Sequence, residues 1–185
     1  FYVVNGTSTA NKVIWHAYVT RDDVVLVDRN CHKSILHAII MTGAIPIYLT
    51  GSRNDYGIIG PIAHERFSGA QLAEHIANHP LLKDRDAPRI RLAVLTNSTY
   101  DGLCYNTDMI VEQLQDRVEV LHFDEAWFGY AAFHPFYHGR HGMSRSRPRA
   151  SGHPLLFATQ SPHKVLAALS QASIILARDL SLIHI

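Results

Sequence analysis

The chain has 185 residues, 47% of them hydrophobic, and a formal net charge of +1 at pH 7. This length and composition suffice for one substantial core, so we expect one globular domain. The weak net charge and the short, Pro-broken basic string SRSRPRASG (Ser144 to Gly152) argue against nucleic-acid binding. No run reaches the roughly 18 apolar residues of a membrane span.

The two cysteines, Cys31 and Cys104, lie far apart and form no CxxC motif. This spacing argues against a disulfide scaffold or a zinc ribbon and favours a reducing, cytoplasmic environment. No signal peptide precedes Phe1, and the chain starts inside an apolar run without a methionine. We therefore expect a cytoplasmic protein of which this chain is a fragment.

Short β-rich runs alternate with longer amphipathic runs along the chain. The predicted strands are, in chain order, FYVV, VVLVD, IPIYL, RIRLAVL, VEVLHF and PLLFA. The predicted helices cover Ser8 to Val19, His32 to Met41, Gly69 to Asn78 and Thr107 to Arg117. This alternation predicts an α/β fold of three layers, in which a mostly parallel sheet has helices on both faces.

Two long segments, Gly51 to Phe67 and Glu125 to His153, interrupt the alternation. Long segments without periodicity inside a compact domain are usually functional. We therefore interpret both segments as functional or interface loops.

A polar cluster follows five of the predicted strands. The clusters are NGTS, RNCHKS, TNSTYDG, DEAW and TQSPHK. Turns are polar in most proteins, but the carboxyl edge of an open α/β sheet is also where ligands bind. Hydroxyls at helix starts, together with an acid, a histidine and a lysine, predict a ligand site at this edge.

The segment NGTSTANK places Gly6, Thr7 and Ser8 between a strand and a helix. Free backbone N–H groups, hydroxyls and the helix dipole make such a turn an anion site. The alternative is a simple helix cap by Thr7 or Ser8. Because the chain has no GxGxxG or Walker pattern, a single phosphate is a better candidate than a dinucleotide or a nucleoside triphosphate.

In VEVLHFDEAW, strand alternation points His122 and Asp124 to one face and Glu125 to the other. Only one of the two adjacent acids can therefore enter a pocket at the strand end. Asp124 could serve there as a metal ligand, a base or the partner of a cation.

The metal interpretation has little support, because no second carboxylate or histidine lies near Asp124 at ligand spacing. The segment HPFYHGRHG offers His134, His138 and His141, but a proline and two glycines interrupt it. We interpret that segment as a polar loop and expect no metal.

In FATQSPHKVLAALSQAS, Lys164 follows a predicted strand and opens an apolar stretch that we expect to be helical. The first turn of a helix is the positive end of its dipole, which an ordinary surface lysine avoids. A solvated helix lysine and a functional amine both remain open on this segment alone.

Long motifs in this order resemble one family. They are FYVVNGTSTANK, VLVDRNCHKSILHAIIMTGAIPIYL, RNDYGIIGPI, TNSTYDGLCYN, HFDEAWFGY and TQSPHKVLAALSQAS. From Phe1 to about Ser173 the chain resembles the pyridoxal-phosphate domain of the bacterial ornithine/lysine/arginine decarboxylases. The resemblance implies the aspartate-aminotransferase-like fold and a cofactor-binding major domain over residues 1–173, truncated at both ends. Residues 174–185 depart from the family pattern, and we expect a divergent tail there.

The resemblance implies pyridoxal 5′-phosphate as cofactor and three residues in direct contact with its reactive part. Lys164 matches the lysine that forms the Schiff base. Asp124 matches the acid that pairs with the pyridine nitrogen and keeps it protonated. His32 matches the histidine that stacks on the ring, although a turn or helix-cap residue is the alternative.

The resemblance also implies the residues that surround the rest of the cofactor. Thr7, Ser8 and Ser161 match hydroxyls that bind the phosphate, and His163 is expected beside them. Trp127 matches a pocket residue near the phenolic oxygen of the ring, with a packed core tryptophan as the alternative.

The implied activity is α-decarboxylation of a basic amino acid, arginine or lysine rather than ornithine, to the amine and carbon dioxide. The family context implies a homodimer or larger homo-oligomer, polyamine metabolism and acid resistance. Two alternatives stay open: another reaction on the same cofactor, such as aminotransfer, and a cofactor-binding or assembly fragment without turnover. Pro162 departs from the family, because many relatives have a small hydroxyl residue there.

Overall fold

The computed structural model describes residues 1–85, 88–144 and 150–178, so most of the basic string lies outside the described residues. Strands within these ranges form one seven-stranded sheet. The strands are β1 (Tyr2–Asn5), β2 (Val24–Asp28), β3 (Ile45–Leu49), β4 (Ile90–Thr96), β5 (Val118–Asp124), β6 (Leu155–Gln160) and β7 (Ala172–Arg178). Their order across the sheet is β1-β7-β6-β5-β4-β2-β3.

The sheet is mostly parallel, as predicted. Strands β3, β2, β4, β5 and β6 all run parallel to one another. Strand β7 pairs antiparallel with both β6 and β1. The carboxyl ends of β2, β4, β5 and β6 therefore meet at one edge, where the sequence predicts the ligand site.

Helices cover both faces of the sheet, which confirms the predicted three layers. The helices are α1 (Thr7–Tyr18), α2 (Lys33–Thr42), α3 (Gly69–Ala77), α4 (Thr107–Gln113) and α5 (Pro162–Val165). Side chains of α1 and α2, such as Trp15 and Ile35, pack with Val25 and Val27 on one face. Helices α3 and α4 belong to a second core on the other face.

Burial on both faces explains the composition of the central strands. All five residues of β2 are buried, and its sequence VVLVD is a nearly continuous apolar run. Parallel strands covered on both sides have this composition, whereas half-exposed strands alternate. The one polar residue of β2, Asp28, stands at the carboxyl end, where it accepts a hydrogen bond from the backbone N–H of Asn30.

The helix expected after Lys164 is only one turn long, which corrects the sequence-based expectation. Pro162 occupies the first turn, a position that suits its missing N–H group. Leu166 then adopts an extended conformation, and its N–H donates to Pro162 O. A helix of one turn has little dipole, so the helix-dipole argument for an unusual Lys164 loses its basis.

Strand β7 was not among the predicted strands. It includes residues 174–178 of the expected tail, and residues 179–185 lie outside the described part of the chain. The run ASIILAR follows the apolar stretch VLAAL so closely that the sequence shows no clear break between a helix and a strand.

The described parts of the two long irregular segments, residues 51–67, 125–144 and 150–153, contain little regular structure, as predicted. Short 3₁₀ helices occur at His64–Phe67, Gly129–Phe133 and Pro135–Tyr137. An isolated bridge joins Arg53 to Ile59. No helix among the described residues is long and apolar enough to cross a membrane.

Candidate active site

Two adjoining cavities open at the carboxyl edge of the sheet. The larger has a volume of about 330 Å³ and the smaller about 270 Å³. Both are bordered by His32, Asp124, Ala126 and Lys164, so they form one continuous groove. All the site residues predicted from the sequence border this groove. They are Thr7, Ser8, His32, Asp124, Trp127, Ser161, His163 and Lys164.

The smaller cavity lies at the start of α1 and has hydroxyl groups on its wall. Thr7 is buried, and its Oγ1 contacts Ser161 Oγ and lies 3.1 Å from Ser173 Oγ. Gly6 is the N-cap residue, with φ 81°, and no side chain caps the helix. Neither Thr7 nor Ser8 therefore caps the helix, so the alternative interpretation was wrong.

This end of α1 has the properties of an anion site. The backbone N–H groups of Thr7 and Ser8 precede the first intrahelical hydrogen bonds, which end on Gly6 O, so they have no acceptor within the helix. A Cβ at Gly6 would meet no atom within 4 Å, which leaves open space in front of these donors. The dipole of the 12-residue helix adds to the attraction for a negative charge.

His163 stands beside the hydroxyls of the smaller cavity, on the single turn of α5. Its Nδ1 lies 2.7 Å from the backbone oxygen of Ala172, so Nδ1 carries a proton and donates it. The rest of the imidazole ring borders the cavity. The hydrogen bond to β7 therefore fixes which ring edge faces a bound anion.

Asp124 ends β5 beneath the groove and is only 4% exposed. Its Oδ2 accepts a hydrogen bond of 2.9 Å from Asn11 Nδ2, and its Oδ1 accepts a long one of 3.4 Å from the N–H of Ala126. Burial raises the pKa of this carboxyl, and the amide of Asn11 opposes the shift. A buried carboxylate next to an open cavity suits a ligand that brings a positive charge or an N–H donor.

Lys164 and Trp127 face each other across the larger cavity. Lys164 Nζ lies 4.9 Å from the centroid of the Trp127 ring, a cation–π distance. Tyr100 meets the same ring edge-on, with centroids 5.3 Å apart. Trp127 is 36% exposed, so it is a wall residue of the groove and not a core tryptophan.

His32 has the cap role that the sequence offered as the alternative, and it also borders the groove. It is the N-cap residue of α2, and its Nδ1 accepts from the backbone N–H of Ser34 at 3.2 Å. The same side chain borders both cavities. Burial lowers the pKa of His32, while nearby Asp124 acts in the opposite direction. A neutral imidazole is thereby favoured in this position.

Several groove residues were not identified from the sequence. Asn11, Ser34 and Thr159 form a buried polar layer that supports Asp124 and His32. Asn11 follows Thr7 by four residues, a spacing that places both on one face of a helix and could have indicated it. The predicted polar cluster TNSTYDG does contribute to the groove, since the larger cavity is also lined by Thr96, Ser98, Thr99 and Tyr100.

The residues considered as metal ligands do not come together in a metal-binding site in the part of the chain that the structure describes. Among the residues that the structure describes, no group of three or more His, Cys, Asp or Glu side chains is placed to hold a metal ion. His141 is buried, and burial lowers its pKa. Both cysteines are free.

Glu125 points away from the groove, as strand alternation predicts, and is fully buried on the other face of the sheet. Its Oε1 accepts from Asn97 Nδ2 at 2.8 Å and from the N–H of Gly142 at 2.6 Å. Its Oε2 accepts from Gln160 Nε2 at 2.9 Å. The carboxylate thus ties the ends of β4 and β6 to the long loop after β5.

Glu125 is expected to make stability depend on pH. Burial raises the pKa of Glu125 from 4.5 to about 7, although its three donors oppose the shift. Because the folded state holds the proton more tightly, the contribution is fully present below pH 4.5 and is lost as the pH rises through 7, a change of roughly 3 kcal/mol. Glu125→Gln should remove this dependence. Urea unfolding from pH 4.5 to 7.5 measures it, and identical pH dependence in both proteins would contradict it.

Comparison with known proteins gives consistent matches over nearly the whole chain. A family model described as Orn/Lys/Arg decarboxylase, major domain, matches residues 1–184. The lysine decarboxylase LdcA of Pseudomonas aeruginosa is 63% identical over 179 residues, which are 97% of this chain and 23% of that protein. The biodegradative arginine decarboxylase of Escherichia coli is 48% identical over 177 residues, which are 96% of this chain and 23% of that protein. The chain thus spans about a quarter of the length of these relatives.

Solved structures agree with the fold. Lysine decarboxylase A from Pseudomonas aeruginosa superposes with a TM-score of 0.90 at 62% identity, over 96% of this chain and 24% of that one. The constitutive lysine decarboxylase of Escherichia coli gives a TM-score of 0.85 at 44% identity, with the same coverage. The α-aminoadipate aminotransferase LysN of Thermus thermophilus, at 18% identity and a TM-score of 0.61, shares the fold over 97% of this chain and 41% of its own. The predicted fold class is confirmed.

Proposed function

The chain belongs to the Orn/Lys/Arg decarboxylase family, whose major domain it matches almost from end to end, and from this membership we propose a pyridoxal-phosphate-dependent decarboxylase of basic amino acids. The observation that carries the proposal is that Lys164 and the buried carboxyl of Asp124 both border the cavity suited to an anion and the larger cavity beside it. An amine, an anion site and an acid in one groove match the aldehyde, phosphate and ring nitrogen of pyridoxal 5′-phosphate.

The smaller cavity fits the phosphate group. Thr7 and Ser161 supply hydroxyls, the first N–H groups of α1 at Thr7 and Ser8 supply backbone donors, and His163 borders the same space. Gly6 leaves the approach to these donors clear. We propose that this set holds the phosphate, and that its attraction for the doubly charged group anchors the cofactor.

The floor and walls of the groove fit the ring. The carboxylate of Asp124 would accept the N–H of the pyridine nitrogen, and the charge of that nitrogen would offset the cost of burying the acid. His32 borders both cavities and would cover one face of the ring. Trp127 lines the larger cavity, near the position proposed for the phenolic oxygen.

Lys164 is an amine that borders both cavities, whereas Lys33 borders only the larger one. We propose that Lys164 Nζ is the atom that would hold the cofactor, and that the same amine would hold a proton near the substrate Cα. When bound, pyridoxal phosphate supplies the electron sink that accepts the pair left behind as carbon dioxide departs. An ion pair between Asp124 and the pyridine nitrogen would keep that nitrogen protonated, so the ring would remain a good electron acceptor.

Lysine is proposed as the preferred substrate, ahead of arginine and then ornithine. The relative with 63% identity is a lysine decarboxylase, the arginine enzyme has 48%, and the constitutive ornithine decarboxylase of Escherichia coli has 41%. Asp124 is the only acid among the described residues that line the groove. Recognition of the distal ammonium is therefore proposed to come from groups outside this lining, which fits a homo-oligomeric, cytoplasmic enzyme with a shared site.

The test is carbon dioxide release from lysine, arginine and ornithine by the full-length protein that contains this chain. We expect release that requires added pyridoxal phosphate and is fastest with lysine. Assay of keto acids in the same mixtures tests for aminotransfer. Production of keto acid without carbon dioxide, or no turnover with any of the three substrates, would contradict the proposed function.

A further inference from the structure

The side chain of Asn11 is linked directly to Asp124 and, through Ser34, to His32. Asn11 is fully buried on α1. Its Nδ2 donates to Asp124 Oδ2 and to Ser34 Oγ, both at 2.9 Å, and its Oδ1 accepts from Thr159 Oγ1 at 2.8 Å. One amide therefore joins α1 to α2, β5 and β6. An amide whose donors and acceptor are all used has a fixed orientation.

The orientation of this amide fixes the position of the proton on His122. Thr159 gives its only hydroxyl proton to Asn11 Oδ1, so the ring of His122, whose Nε2 lies 3.0 Å from Thr159 Oγ1, must donate. His122 is completely buried, which lowers its pKa to about 3 and keeps the ring neutral. Its proton is then on Nε2. Its Nδ1 is buried without a hydrogen-bond partner in the described part of the chain, as expected for a nitrogen that has no proton to donate.

On the other side, the same logic fixes the proton of His32. Ser34 Oγ accepts from Asn11, so its own proton is free to bond to His32 Nδ1, which lies 2.9 Å away. The backbone N–H of Ser34 donates to the same nitrogen at 3.2 Å. His32 Nδ1 therefore accepts two hydrogen bonds. A neutral His32 must carry its proton on Nε2, the ring nitrogen that makes no hydrogen bond to the described residues.

We propose that Asn11 is a positioning residue that orders the protons on both sides of the groove. It donates to Asp124 from below and to Ser34 Oγ, which leaves the Ser34 hydroxyl proton free to join the Ser34 backbone N–H in holding His32 as the tautomer with its proton on Nε2. This inference rests on the proposed function only for the identity of the molecule that fills the groove. The order of the protons belongs to the protein itself and can be measured without cofactor.

Asn11→Leu tests whether this amide orders the protons. Leucine neither donates nor accepts, so the Thr159 hydroxyl loses its acceptor and can turn to donate to His122 Nε2. We expect a proton on His122 Nδ1 in a measurable fraction of this variant and none in the unaltered protein, whereas His32 keeps the Ser34 backbone N–H on its Nδ1 and should be unchanged. Asn78→Leu, the same change at the exposed end of α3, is the matched control and should leave both rings as they are.

Solid-state NMR of the full-length, cofactor-free protein labelled with ¹⁵N-histidine separates protonated from unprotonated ring nitrogens, and the His32→Gln variant identifies the signals of His32. We expect unprotonated Nδ1 in both His32 and His122 of the unaltered protein. The His122→Gln variant identifies the signals of His122 in the same way. A proton on either Nδ1 of the unaltered protein would overturn the inference, even if Asn11→Leu failed to fold. A folded Asn11→Leu protein whose His122 keeps a fully unprotonated Nδ1 would overturn it as well. Absence of cofactor binding would leave these signals unchanged and would count only against the proposed function.

Discussion

Replacing Lys164 by alanine is expected to lower turnover by roughly 10³-fold or more, the scale associated with loss of a positioned proton-transfer group. Lys164 borders both cavities, so its removal would take away the proposed attachment atom for the cofactor and the proposed proton carrier. The variant should bind pyridoxal phosphate without the visible absorption band of a lysine-linked cofactor. Carbon dioxide release and absorption spectra of the loaded protein measure the two effects.

Lys12→Ala is the control for this experiment. Lys12 is on α1 and borders neither cavity. It should keep both the absorption band and the turnover of the unaltered protein. Equal turnover in the Lys164 and Lys12 variants would remove Lys164 from the mechanism.

Asp124→Asn is expected to retain the cofactor and lose about 10²-fold or more in turnover, roughly 2.7 kcal/mol of barrier. The amide has nearly the same shape as the carboxylate, but it carries no charge to keep the pyridine nitrogen protonated. Because the hydroxyls of Thr7 and Ser161 are untouched, cofactor uptake should survive. Steady-state kinetics with lysine and titration with pyridoxal phosphate separate these effects.

Glu125→Gln is the matched control, since Glu125 is also a buried acid at the end of β5 but faces away from the groove. It should change the pH dependence of unfolding and leave turnover within a few-fold, provided that thermal melting shows a folded protein. Turnover of Asp124→Asn at the level of Glu125→Gln would contradict the role proposed for Asp124.

The layered fold could be predicted from the sequence because parallel strands buried on both faces leave an unmistakable apolar pattern. VVLVD and RIRLAVL are such runs, and the helices between them have clear periodicity. Strand β7 and the single-turn α5 were not predictable in the same way. VLAALSQASIILAR is apolar throughout, so its pattern does not distinguish a turn and an antiparallel strand from one continuous helix.

The groove residues were predictable where they lie at or soon after the carboxyl end of a strand, as Asp124 and His32 do. The polar layer beneath them was not. Asn11, Ser34 and Thr159 lie on different elements and meet only through tertiary packing. A buried Asn or Thr in the middle of an element resembles any other polar residue in the sequence, and only the hydrogen bonds it makes in the fold reveal its role.

The most direct test of the central claim is to find where the cofactor attaches. The full-length protein, loaded with pyridoxal phosphate and reduced with borohydride, should carry a stable phosphopyridoxyl label that survives digestion. Peptide mass spectrometry is expected to locate that label on Lys164. A label on Lys33, which borders only the larger cavity, or on Lys12 would contradict the account.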